Sequence, residues 1–213
     1  MIKFTSSEVR DLIIAFFVIS LCFAIANAGR DPNAILALLP YIMVGVGTGF
    51  ILHELGHKLV SMKYGYWAEF KLWPQGLLFA LITSFFGFVF AAPGAVYTYA
   101  NYMTDEINGK ISIAGPVVNI ALALVFLAIG TAVYPSAFTS ETSVIIFTAC
   151  MIGYSVNSFL AVFNLLPIGN LDGSKVLTWN VGIWIATIAV AAILTASYMT
   201  IGFETIVRMI LGI

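Results

Sequence analysis

Residues 34 to 62 read AILALLPYIMVGVGTGFILHELGHKLVSM. Positions 34 to 52 carry no charge and are almost wholly apolar, long enough as a helix to cross a hydrocarbon layer of about 30 Å. The pattern then runs on through His53 to Met62 and stops at Tyr64-Gly65-Tyr66. A charged motif with two histidines therefore sits at the end of a spanning helix.

The rest of the chain fits that setting. Of its 213 residues 61% are apolar and 9% charged, and its mean hydropathy is +1.03, outside the range of water-soluble globular domains. Only helices and closed barrels satisfy their backbone in lipid, and apolar runs of about 17 to 25 residues select helices. Further spans are predicted at 12 to 28, 111 to 134 (interrupted early by Gly115-Pro116), 144 to 166 and 181 to 200. The first follows Lys3 and Arg10 and ends in Ala26-Asn27-Ala28, which also suits a cleavable signal sequence; a retained helix is expected, since a multi-spanning chain needs no separate export signal. Residues 66 to 73 alternate as a strand does, 76 to 92 are apolar, and 92 to 99 are rich in strand formers, so strand, buried insertion and strand are expected. Residues 201 to 213 read as an interfacial helix or a partial last span. The expected fold is an all-α polytopic membrane protein with five to six transmembrane helices and a small membrane-associated β element between the second and third main spans.

Charge sets the topology and excludes one partner class. The net charge of -1 and the scatter of Lys and Arg leave no basic patch, so no nucleic acid is expected. If 76 to 92 enters and leaves on one face, Lys3, Arg10, Lys58, Lys63, Lys71, Lys110 and Lys175 fall on the cytoplasmic side against Arg30 and Arg208 outside. A full crossing gives a weaker bias, six against three. The re-entrant path also puts the ends of the second and fourth spans on one face. Cys22 and Cys150 lie in apolar runs, where cysteine acts as a small hydrophobe, and report nothing on redox compartment.

His53-Glu54-Leu55-Gly56-His57 is an HExxH pattern and holds both histidines of the chain. Imidazoles at i and i+4 lie one above the other on a helix and can grip one Zn²⁺, with the intervening glutamate beside the open position, able to take a proton from a bound water. Burying Glu54 near a bilayer is costly unless a partner or metal offsets it. A third ligand is needed, and the carboxylates able to reach that face are Glu69, Asp105, Glu106 and Asp172. Asp172 lies in Asn164-Leu165-Leu166-Pro167-Ile168-Gly169-Asn170-Leu171-Asp172-Gly173, where Pro167, Gly169 and Gly173 interrupt a span and expose backbone that only a cavity or the protein interior tolerates. By itself the Asp-Gly pair also reads as a turn at a helix end.

These stretches resemble the site-2 protease family of intramembrane zinc metalloproteases. HELGH at 53 to 57, Gly115-Pro116-Val117-Val118-Asn119, and Asn164-Leu165-Leu166-Pro167 with Leu171-Asp172-Gly173 match the family's three signatures in order, over residues 52 to about 176. The resemblance implies one Zn²⁺ per chain on His53, His57 and Asp172, Glu54 as general base, and Asn164 holding substrate or the developing oxyanion. It implies a single transmembrane protease domain over 1 to 213, with its core at about 34 to 176 and further helices at 181 to 213. It also implies a transmembrane protein as substrate, in a multi-pass protein of the lipid bilayer whose active site lies near the cytoplasmic face. The chain departs from the family's common pattern at Asn170 and Ser174, where a proline and a second glycine are frequent, and no PDZ or CBS module is expected in cis.

Asn119 and Asn157, inside apolar helices, read as cross-helix hydrogen bonding. The strand at Pro93-Gly94-Ala95-Val96 reads either as scaffold or as an edge for an extended substrate. Two other readings stay open: a membrane protease of the CaaX-processing type with Glu204 as third ligand, and a zinc-binding membrane protein or transporter. The sequence leaves the substrate's identity and the oligomeric state open.

Overall fold

The computed structural model describes residues 3–29, 31–90 and 93–213 and divides into two compact units, Met1–Met103 and Thr104–Ile213. Among the described residues five helices are long and apolar enough to cross a membrane, and the only sheet has two strands. The chain is a multi-pass helical membrane protein.

The first unit begins with α1 (Ser6–Ala28), capped by Thr5, whose hydroxyl accepts the Glu8 amide at 3.1 Å. Helix α2 (Pro32–Val46) passes through a π-helical turn, Gly47–Ile51, into α3 (Leu52–Lys63), so one continuous helical stretch carries the chain from Pro32 to Lys63. Single π turns often occur at functional sites, and this one ends at Ile51, two residues before His53. Phe16 of α1 packs against it at Gly47, where an added Cβ would lie 3.0 Å from the ring.

Strands β1 (Trp67–Leu72) and β2 (Gly94–Tyr99) pair antiparallel, Phe70 opposite Val96 and Leu72 opposite Gly94. Between them lies α4 (Pro74–Ser84) and a turn at 85 to 87. Eleven helical residues rise only about 16 Å, half of a hydrocarbon core. The insertion leaves from the end of β1 and returns to the start of β2, with the Trp73 amide donating to the Pro93 carbonyl at 2.7 Å. The insertion thus departs from and returns to the same end of the hairpin. Ala91 and Ala92, the end of the predicted insertion, lie outside the described residues.

The second unit is a helical hairpin of α5 (Asp105–Val133) and α6 (Glu141–Leu165), followed by α7 (Asp172–Trp179), α8 (Val181–Ile201) and α9 (Phe203–Leu211). Helix α5 packs on α6 and α7, and α8 packs on α6. The predicted interruption at Gly115-Pro116 does not occur: α5 runs unbroken through both, which are buried. Proline is tolerated inside membrane helices because neighbouring groups take up the freed carbonyl. The Asn119 side-chain amide donates to Asn157 Oδ1 at 3.0 Å, and Asn157 in turn donates to the Gly153 carbonyl, a polar link between α5 and α6. At the other end Phe126, Tyr134, Tyr154 and Phe203 form an aromatic cluster that seats α9, an amphipathic helix with Phe203 and Val207 buried. Helix α8 buries little besides Ala191, as befits a helix whose surface meets lipid.

Candidate metal centre

The helical period delivers the first two ligands. His53 and His57 lie one turn apart on α3, with their Nε2 atoms 3.0 Å apart and their rings nearly perpendicular, at 85°. Two Zn–N bonds of about 2.0 to 2.1 Å at a tetrahedral angle separate their nitrogens by about 3.3 Å, so the pair is spaced to share one ion. His53, Glu54 and His57 are all buried. Glu54 Oε2 accepts the backbone N–H of Val96 on β2 at 3.2 Å, and Ser61 of α3 bonds Thr98 through their hydroxyls at 2.7 Å. The hairpin is thus fastened along the face of α3 that carries the glutamate.

Asp172 is placed by a different device. Helix α6 ends at Leu165, the chain turns through 166 to 171, and Asp172 opens α7. Gly169 sits in the left-handed region at φ 56°, a conformation that favours glycine. Gly173 packs so closely that an added Cβ would lie 2.0 Å from the Leu165 carbonyl oxygen. That carbonyl is satisfied by the Trp184 indole N–H at 2.9 Å. The two positions that depart from the family pattern both bear on the turn. The Ser174 hydroxyl donates to the Gly169 and Leu171 carbonyls at 3.0 and 2.7 Å, and Lys175 Nζ bonds the Asn170 carbonyl at 3.0 Å. Asp172 is almost fully buried, with Lys175 Nζ 3.9 Å from its carboxylate.

Among the described residues, His53, His57 and Asp172 are the candidate ligands for a metal ion. Two imidazoles and a carboxylate are a donor set that suits catalytic zinc, whose fourth position is taken by water or substrate. Three of the other carboxylates weighed from sequence have other partners. Glu69 accepts hydroxyls from Thr5 and Ser7, Glu106 pairs with Lys110 at 2.5 Å, and Glu204 accepts the Tyr134 hydroxyl at 2.7 Å. The Asn164 side-chain amide donates to the Leu160 carbonyl of its own helix at 3.0 Å.

Three relatives share the name "Putative zinc metalloprotease". MJ0611 of Methanocaldococcus jannaschii is 41% identical over 85% of this chain and 89% of its own length. The chain belongs to the site-2 protease family. YwhC of Bacillus subtilis is 30% identical over 67% of this chain and 69% of its own length; Rip2 of Mycobacterium tuberculosis is 27% identical over 70% and 60%. No family model and no solved structure matches the chain. As a site-2 protease the chain is a zinc metalloprotease of the intramembrane type, with HExxH on α3 and the aspartate at the start of α7.

The sequence did not single out Glu8. It is 1% exposed, and its Oε2 takes the ammonium of the equally buried Lys58 at 2.5 Å while Oε1 accepts the Phe70 amide at 3.1 Å. The available signal was a carboxylate in the first turn of an apolar helix and a lysine directly after HExxH, two charges that burial would force to find partners.

Proposed function

We propose that this site-2 protease hydrolyses a peptide bond in or next to a transmembrane segment of another membrane protein, the 213 residues acting as one protease domain. In this reading His53, His57 and Asp172 hold one zinc ion per chain, Glu54 is the general base, and Asn164 holds the substrate or the developing oxyanion. The observation that carries it is the pair of buried imidazoles on one helix, spaced to share an ion beside a buried glutamate, with the buried Asp172 as third donor. Zinc, when bound, acidifies a coordinated water and polarises a carbonyl.

The protein supplies the rest. Glu54, buried and held by the Val96 amide, is kept one residue after the first ligand and three before the second. There it is placed to accept the proton lost by water and later to pass it to the leaving amine, a general acid–base role. Burial of the site among apolar helices excludes bulk water and strengthens each of these electrostatic contacts. The re-entrant α4 and the distribution of Lys and Arg support an active site near the cytoplasmic face. Purified protein is expected to contain about one zinc. Glu54→Gln should keep that zinc and fail to cleave a transmembrane peptide, whereas Asp172→Ala should lose both. Cleavage by Glu54→Gln at the wild-type rate would remove the mechanism.

A further inference from the structure

Five residues of the first unit close a ring around the glutamate. Glu8 of α1 takes Lys58 Nζ on one oxygen and the Phe70 amide on the other. Phe70 pairs across the hairpin with Val96, the Val96 amide donates to Glu54, and Glu54 lies one turn before Lys58 on α3. All five line a single cavity of about 50 Å³. The Lys58 ammonium also lies 4.3 Å from the centre of the ring of Phe4, which precedes the α1 cap.

Two consequences follow from charge and geometry. Residues at i and i+4 on a helix are neighbours, and Glu followed by Lys is the favourable order for an ion pair. A Lys58 without Glu8 would therefore turn to Glu54, occupying the carboxylate and drawing it out of place. In addition, Glu8 ties β1 to α1 through the Phe70 amide, beside Asp11, which accepts the Leu72 amide at 3.2 Å, and β1 sets the register of the strand whose amide reaches Glu54. We propose that Glu8 is a positioning residue for peptide hydrolysis: it holds Lys58 away from Glu54 and fixes the hairpin that orients the Glu54 carboxylate. This rests on Glu54 acting as the base, as proposed above.

The test uses the full chain in proteoliposomes with a fluorogenic transmembrane peptide, after wild type and Glu54→Gln have settled the role of the base. Glu8→Gln should lower kcat about tenfold to a hundredfold, the range for a misplaced catalytic group, with KM and zinc content unchanged. Adding Lys58→Met to Glu8→Gln removes the stray ammonium and should return most of the lost kcat. Hydrogen exchange at the Phe70 and Val96 amides, read in zinc-free protein, should rise in Glu8→Gln whatever the activity. Should Glu8→Gln fail to fold, Glu8→Asp keeps the charge, withdraws the carboxylate by one methylene, and should show the same fall in kcat at constant zinc. Wild-type kcat in whichever single variant folds, a loss of activity in step with loss of zinc, or unchanged exchange at Val96 would each overturn the proposal. If wild type itself binds no zinc and cleaves nothing, the reading of the base has failed, and the exchange data alone then decide whether Glu8 orders the hairpin.

Discussion

The two histidines and the aspartate reach their places by opposite means. His53 and His57 ride an uninterrupted helix, where the 3.6-residue period sets their spacing and nothing distant is needed. Asp172 is delivered by breaking one: α6 stops at Leu165, a six-residue turn follows, and the new helix begins on the ligand itself. A helix gives spacing cheaply but only to residues near in sequence. A break can aim a distant residue, yet it exposes carbonyls and amides that must be satisfied one by one inside an apolar protein. The partners here are Trp184, Ser174 and Lys175, with Gly173 permitting close approach.

This contrast can be broken at five points. The largest effects are expected on the unbroken helix, where the role proposed for each residue is chemical. His53→Ala should abolish both zinc content and cleavage, while Glu54→Gln should leave zinc in place and lower kcat about 10²- to 10⁴-fold. Metal analysis alongside peptide cleavage separates the two. On the broken side, Gly173→Ala should act through geometry: a methyl 2.0 Å from the Leu165 oxygen forces the start of α7 to move, and a ligand displaced by about 1 Å should cost on the order of a hundredfold in activity. Wild-type activity in Gly173→Ala would mean that the turn tolerates slack and that the contrast is overdrawn.

A smaller effect is expected at Trp184→Phe, which keeps the ring and deletes the N–H that satisfies the Leu165 carbonyl. Leaving that acceptor unpaired should cost about 1 to 3 kcal/mol, read as a lower thermal midpoint, with zinc content kept in the folded fraction. The smallest is Thr5→Ala, remote from both ligand sources. Loss of the helix cap should cost about 1 kcal/mol. The Thr5 hydroxyl is also the largest influence holding the Glu69 carboxyl below its ordinary value, with that of Ser7 adding to it, so the variant should let that pKa rise. Because the folded-state value is depressed, the stabilisation from Glu69 is present above the ordinary carboxylate pKa and lost as pH falls through the lowered one. The difference between wild type and variant should accordingly shrink in acid, which thermal melts across pH 3 to 7 would follow, roughly spanning the carboxylate range.

Much of this molecule was readable one helix at a time. Length and apolarity alone mark five spans, and all five are present among the described residues. The two strands either side of the insertion were legible from alternation and from strand-forming residues, whereas their antiparallel pairing came only from the fold. The unbroken passage of α5 through Gly115-Pro116 was not, since whether a proline breaks a helix depends on which neighbours take up the orphaned carbonyl. Glu8 was likewise invisible: a carboxylate 50 residues from its lysine announces no partner.

What the linear order of residues determined is therefore the helices, the HExxH spacing and the identity of the donors, all consequences of local periodicity and of lipid's intolerance of unpaired backbone. What only the folded chain decided is which remote groups meet. The hydrogen-bonding needs of a buried carboxylate are met in three dimensions, and there Glu8 holds Lys58 and Phe70 while Val96 holds Glu54.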